Sequence, residues 1–203
     1  MRDKKTNVRY MTELALLIAI ELVMRLLGLG SVPVGPLVMS FLTVPVAIGA
    51  MLLGPAAGAV LGAVFGFCSL YDAITGASMM TGVFFQLDPL NTVILCVGMR
   101  ILMGFVTGWV FRLVRRVDRK QIACYVAGAL SAPLLNTLFF MGYIVRFFYE
   151  TDYVQNMVQS LGAVNPLMFV VLAVGVQGLV EAVASGVVST AVAKGVAHVL
   201  DRS

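Results

Sequence analysis

The sequence predicts an all-α membrane protein: a bundle of six transmembrane helices, one domain over residues 1–203, with both termini on the cytoplasmic side. Three observations carry this expectation. Hydrophobic residues make up 60% of the 203 residues and charged residues only 12%, against roughly 45–50% and about 25% in soluble domains. Mean hydropathy is +0.98. Apolar runs, most near the ~20 residues that a bilayer-crossing helix needs, alternate with short breaks rich in glycine, proline or charge.

Span one covers residues 10–29 and follows a basic tail, Arg2, Lys4, Lys5 and Arg9. A secretory leader begins in the same way. This run is longer than a leader's apolar core, carries Glu13, Glu21 and Arg25, and precedes no small-residue cleavage site, so it reads as a retained span. A break rich in Gly and Pro (GLGSVPVGP, 28–36) leads to span two, 37–53. Gly54-Pro55 is a tight turn, and span three is 56–70. Residues 71–90 form a long mixed-polarity loop ending in Asp88-Pro89. Span four is 91–114. A basic loop, 115–121, precedes span five, 122–148. A polar connection, 150–165, ends at Pro166, which opens span six where a proline loses no helical hydrogen bond. Span six runs to residue 199, longer than a bilayer requires, which implies tilt or protrusion.

Charge placement sets the orientation. Lys and Arg cluster in the N-terminal tail, in the four-to-five segment (Arg112, Arg115, Arg116, Arg119, Lys120) and at the C-terminal end (Lys194, Arg202). The one-to-two, three-to-four and five-to-six loops have none, though Arg146 lies near the last. Six spans put the basic segments on one side, as the positive-inside rule requires of the cytoplasmic face. The net charge of +4 therefore points to orientation in a lipid bilayer, and no basic stripe with interleaved aromatics suggests nucleic acid. Cys68, Cys96 and Cys124 form no CxxC pair and no His–Cys cluster, so no disulfide framework, metal site or cofactor is expected.

Small residues mark close helix packing. Gly54, Gly58, Gly62 and Gly66 recur every fourth residue along span three, a smooth stripe on one helical face. Gly104 and Gly108, Gly128 and Ala132, and Ala182, Gly186 and Thr190 repeat the device in later spans. Packing inside one bundle explains all of them, and a surface sliding against a partner remains an alternative for span three. Ala15 and Ala19 form a further i,i+4 pair in the cytoplasmic half of span one.

Ionisable and amide groups inside spans are costly and mark function. Glu21 and Arg25 stand i,i+4 on span one, in the order that favours a helix ion pair. Arg100 lies in span four, which Asn91 opens at its outer end. Asn136, Tyr143 and Arg146 follow at helical spacings on span five, and Gln177 and Glu181 stand i,i+4 in the middle of span six. With the orientation above, these groups converge on a cavity opening outward. The alternative is internal pairing, Glu21 with Arg25 and Arg100 with Glu181. The loop residues Met79, Met80, Phe84, Phe85, Gln86, Tyr153, Gln155, Asn156 and Gln159 face outward and either cover the cavity mouth or anchor at the interface. No ATP-binding, hydrolase or metalloenzyme motif is present, so an enzyme is not expected.

The span-one segment ALLIA (15–19) and the segment PVAIGAMLLGPAAGAVLGAVFG (45–66) resemble the S component, the substrate-binding membrane subunit, of an energy-coupling factor (ECF) vitamin transporter, and the likeness covers nearly the whole chain. The resemblance implies that Ala15 and Ala19 dock a transmembrane coupling subunit served by two cytoplasmic ATPases. It implies capture of a vitamin outside a bacterial plasma membrane and release by toppling of the subunit within it. The stretch 40–45 (SFLTVP) lacks the acidic, aromatic motif of riboflavin-type members. Trp109 is the single tryptophan and lies toward the cytoplasm, unlike the tryptophan-rich site of thiamin-type members. The stretch VPVGPLVMSFLTVPVAIGAMLLGPAAGA is most similar to pantothenate-type members. In that reading Arg100 or Arg146 meets the carboxylate, while Asn91, Asn136, Tyr143 and Gln177 meet the amide and hydroxyls. Glu181 fits an anion site only beside an arginine. Hydroxymethylpyrimidine, riboflavin or folate binding, a standalone secondary transporter and a purely structural membrane protein are the alternatives.

Overall fold

The computed structural model describes residues 4–28, 32–34, 37–118 and 121–200. In chain order the elements are α1 (Lys4–Leu26), β1 (Val32–Val34), β2 (Leu37–Met39), α2 (Thr43–Leu52), α3 (Pro55–Thr75), α4 (Met79–Leu87) and α5 (Pro89–Val93). A single π-helical turn (Ile94–Gly98) joins α5 to α6 (Met99–Val117). Then come α7 (Ala123–Phe147), α8 (Asp152–Ser160) and α9 (Pro166–Leu200). Among the described residues the fold is helical apart from the antiparallel pair β1–β2, in which Val34 pairs with Leu37 and Val32 with Met39.

Among the described residues four stretches are long and apolar enough to cross a membrane: Pro55–Thr75, Pro89–Val117, Ala123–Phe147 and Gly178–Ala197. Thr43–Leu52 and Pro166–Gly175 are apolar but shorter. At 23 residues α1 has the length of a span, but Glu13, Glu21 and Arg25 interrupt it.

The expected second span, 37–53, is corrected. Its first residues form β2, and α2 has ten residues, about 15 Å against a hydrocarbon core of about 30 Å. Pro45 explains where the helix starts. A proline ring clashes with the carbonyl four residues earlier, here that of Phe41, so a helix running through both is kinked or broken. Placed in the first turn, as here, Pro45 lacks only an N–H that has no intrahelical partner. The expected loop 71–90 is also corrected. The third helix continues to Thr75, and α4 fills 79–87. Asp72 makes this stretch read as polar, but the fold pairs it with Arg25 of α1, so its charge does not end the helix. The polar connection 150–165 likewise holds α8.

Local chemistry sets the remaining boundaries. Gly54 has φ 102°, which glycine alone tolerates at low cost, and Pro55 opens α3 behind it. Asp88 caps α5, its Oδ1 accepting from the Asn91 backbone N–H at 3.0 Å and its Oδ2 from the Asn91 side chain at 2.7 Å. Asn165 does the same for α9, accepting from the Met168 N–H at 2.7 Å.

Residues 43–51 of α2 are all buried, which fits a helix that is hydrophobic all round. Its Val46 and Ala47 pack with Leu61, Met103, Ala129 and Ala193 in one core cluster. A second cluster holds Phe84, Leu95, Phe148, Val154 and Phe169, with Phe84 and Phe148 stacked at 4.3 Å between ring centroids. The glycine stripe is spent inside the chain. A Cβ at Gly58 would strike the Gly104 carbonyl, one at Gly62 the Arg100 carbonyl, and one at Gly66 the Cα of Val97. The face of α3 is thus in backbone contact with α6 and the π turn, and none of it is left for a partner.

Candidate functional site

Arg100 is placed by an irregularity in its helix. In the π turn before it, the Met99 N–H reaches back five residues to the Ile94 carbonyl. Such bulges shift the helical register and recur at functional sites. The Arg100 Nη1 donates to the Leu95 carbonyl at 3.1 Å. Its guanidinium carbon lies 4.9 Å from the ring centre of Phe65 on α3 and 4.6 Å from that of Phe140 on α7. Cation–π contact of this kind holds a cation in an apolar setting. Arg100 is only 7% exposed, and its Nε has no hydrogen-bond partner.

Arg100 lines a cavity of about 740 Å³, within the range of small-molecule sites. Glu181 of α9 lines it too, is also 7% exposed, and accepts a long 3.5 Å hydrogen bond from the Ser40 N–H on Oε2, while Oε1 has no partner. Asn136 and Thr137 of α7 enter from a third side. Met79, Met80 and Thr81 of α4 and Tyr153 and Met157 of α8 line it as well. The two segments expected as loops therefore contribute short helices to the cavity wall. Phe84, by contrast, is a fully buried core residue, and Gln155 donates to the Tyr149 carbonyl at 2.7 Å.

Arg100, Asn136 and Glu181 are the expected site residues that share this cavity. Arg100 and Glu181 form no ion pair with each other. Asn91 and Tyr143 are elsewhere. The Tyr143 hydroxyl donates to Asn91 Oδ1 at 2.6 Å, which ties α7 to the capped start of α5. Arg146 is exposed, with its guanidinium 5.3 Å from the Phe147 ring. The side chain of Gln177 lies outside the described residues.

The expected Glu21–Arg25 pair is corrected. Arg25 pairs instead with Asp72, joining α1 to α3 at the cavity wall, while Glu21 is fully buried without a hydrogen-bond partner. The i,i+4 spacing permitted the local pair, but the helix turns Glu21 against its neighbours and Arg25 toward the cavity. Phe65, Phe140, Ser40 and Thr81 line the site without having been singled out. Phe140 follows Asn136 by four residues, so helical spacing alone placed it on the same face. Phe65, Ser40 and Thr81 gave no such signal, because their roles depend on contacts between elements.

Outside the membrane-spanning stretches, Asp88 is the titratable group most visibly tuned. Hydrogen bonds from the Asn91 backbone and side chain hold its carboxyl below the usual aspartate value. Among the described residues no cluster of His, Cys, Asp or Glu is arranged to hold a metal. On α1, Ala15 and Ala19 are both exposed. Beside them an apolar groove of about 360 Å³ runs between α1, α2 and α9, bordered by Leu16, Ile20, Pro45, Leu52 and Val196.

A comparison with curated proteins gives no match. A family model described as "ECF transporter, substrate-specific component" matches residues 9–193, nearly the whole chain. The chain belongs to the substrate-specific components of ECF transporters, membrane subunits that select a solute for transport and are not enzymes.

Proposed function

We propose that this subunit captures a small water-soluble vitamin or precursor, pantothenate foremost, from outside a bacterial plasma membrane and delivers it to an ATP-driven ECF module. In this reading six segments pass through the bilayer with both termini inside, α2 doing so as a short helix enclosed by the longer ones, and α4 and α8 lie on the outer side. The binding site is the cavity shared by Arg100, Asn136 and Glu181; Asn91, Tyr143 and Arg146 do not line it, and a contact of Gln177 with the ligand is part of the proposal. The observation that carries the reading is that cavity: buried polar groups of both signs stand without full protein partners in a space of vitamin size. The pantothenate assignment rests on the likeness of the stretch 32–59 to pantothenate-type members and on an arginine suited to a carboxylate.

The exposed Ala15 and Ala19 and the apolar groove beside them favour docking of a transmembrane coupling subunit on α1, with two ATPase subunits beneath it. The experiment is uptake of labelled pantothenate by cells that express this chain with or without an ECF module. Uptake that requires the module is expected. Uptake by the chain alone, driven by an ion gradient, makes it a standalone secondary transporter instead. Module-dependent uptake of hydroxymethylpyrimidine, riboflavin or folate in place of pantothenate keeps the mechanism and changes the substrate.

A further inference from the structure

Among the described residues, seven side chains carry buried polar atoms without a hydrogen-bond partner, and four of these side chains, Ser40, Thr81, Arg100 and Glu181, line one cavity. The other three, Glu21, Thr107 and Ser189, are not part of its lining. A buried donor or acceptor left unmade is costly, so a set gathered around one space is a template for what fills it.

The template has a direction. Arg100 offers only donors, Glu181 as a carboxylate only acceptors, and the two hydroxyls either. Phe65 and Phe140 lie against the guanidinium carbon and Nη1 already donates to the Leu95 carbonyl, so a ligand would meet the remaining N–H groups. An arginine edge suits a planar acceptor, a carboxylate or a carbonyl. Glu181 faces the same space but forms no ion pair with Arg100, so neither satisfies the other. The charged side chains around the cavity are Arg25, Asp72, Arg100 and Glu181. Their formal charges cancel, so the cavity has no surplus of either sign with which to select a simple anion or cation.

Resting on the reading of this cavity as the vitamin site, we propose that the ligand bridges Arg100 and Glu181. It carries a carboxylate or carbonyl acceptor for Arg100 and, on the same molecule, an N–H or O–H donor for the Glu181 carboxylate, with Ser40 and Thr81 as adaptable neighbours. A monocarboxylate without donors meets only half of the site. An amine without an acceptor meets only the other half. Pantothenate, with its carboxylate, amide N–H and hydroxyls, has the required pair, and so does hydroxymethylpyrimidine, with ring-nitrogen acceptors and amino and hydroxyl donors.

The test uses the purified full chain, titrated with pantothenate, hydroxymethylpyrimidine, riboflavin, folate and thiamin. The tightest ligand is then titrated into Glu181→Met, which removes the acceptor at similar size, and into Glu181→Gln. Losses of about ten- to hundredfold for Glu181→Met, and a smaller loss for Glu181→Gln, are expected from removing a hydrogen bond to a charged group. Analogues of the ligand decide the matter even if a variant does not fold. For pantothenate these are its alcohol in place of the carboxylate, and its dideoxy form. Each should bind the wild type at least tenfold more weakly. The dideoxy form keeps only the amide N–H as a donor, so it should lose less in Glu181→Met than pantothenate itself does. Glu181→Met within threefold of wild type, or analogues within threefold of the parent vitamin, would overturn the bridge while leaving the vitamin site in place. A folded wild type that binds no compound of the panel overturns the vitamin reading and the bridge together.

Discussion

Gly62→Ala tests how the fold holds Arg100 in place. A Cβ built at Gly62 meets the Arg100 carbonyl oxygen, the Arg100 carbonyl carbon at 2.9 Å and the Ile101 Cα at 3.2 Å. These are backbone atoms, so no side chain can rotate away. Ordinary contact begins near 3.4 Å, and the oxygen demands the most, so α3 and α6 must separate by roughly 1 Å at this crossing. Overpacking of this kind costs typically about 1–3 kcal/mol. Membrane helices also have no hydrophobic force between them to offset lost packing. The displaced backbone is that of Arg100 itself, so its guanidinium leaves the Phe65–Phe140 setting and affinity should fall about tenfold or more. Thermal unfolding and pantothenate titration of the purified variant measure both effects. Gly142→Ala is the control, because nothing lies within 4 Å of a Cβ there, and an alanine in a helix is favoured over glycine by up to about 1 kcal/mol. Equal stability and affinity in Gly62→Ala and Gly142→Ala would refute the packing argument.

Three further outcomes follow from the same geometry. Asp72→Asn removes the partner of Arg25, whose side chain is 26% exposed in the ion pair. It should lower unfolding stability by about 1–2 kcal/mol, a loss that Arg25→Met with Asp72→Met restores at least in part; an unchanged melting temperature in Asp72→Asn would show that the α1–α3 link contributes nothing. Ala15→Trp with Ala19→Trp should abolish module-dependent uptake and leave ligand affinity intact, and surviving uptake would remove the docking face from this part of α1. Asp88 has a folded pKa held below its unfolded value of about 3.9. Its contribution is therefore present above pH about 4 and is lost as pH falls through the unfolded value and then the lower folded one; Asp88→Asn should flatten the acid limb of a stability–pH curve, and an unaltered limb would contradict the capping role.

Much of the helical plan was legible because it depends on local signals. The Gly54-Pro55 turn, Pro166 at the head of α9 and the glycine repeat on α3 each act within a turn or two of the chain. Arg100, Asn136 and Glu181 stood out because buried polar groups are rare in apolar runs. Span two was misjudged because composition counts apolar residues whether they form a strand or a helix, and the effect of Pro45 on Phe41 is steric. The helical end of α3 was hidden by Asp72, whose partner Arg25 lies 47 positions away. Likewise, the sequence made Glu21–Arg25 a natural pair and gave no sign that α3 would supply a rival acid. Phe65, Ser40 and Thr81 reach the cavity only through tertiary packing, which a single chain does not display in its spacing.

The central claim is that the cavity around Arg100 and Glu181 binds a vitamin, and thermal stabilisation of the purified wild-type chain across the vitamin panel tests it most directly. A ligand bound only by the native state adds about 2.7 kcal/mol at a hundredfold excess over its Kd. The account predicts a clear rise in melting temperature with pantothenate that Glu181→Met and Arg100→Lys both diminish. A folded sample whose melting temperature moves with none of these vitamins would contradict it.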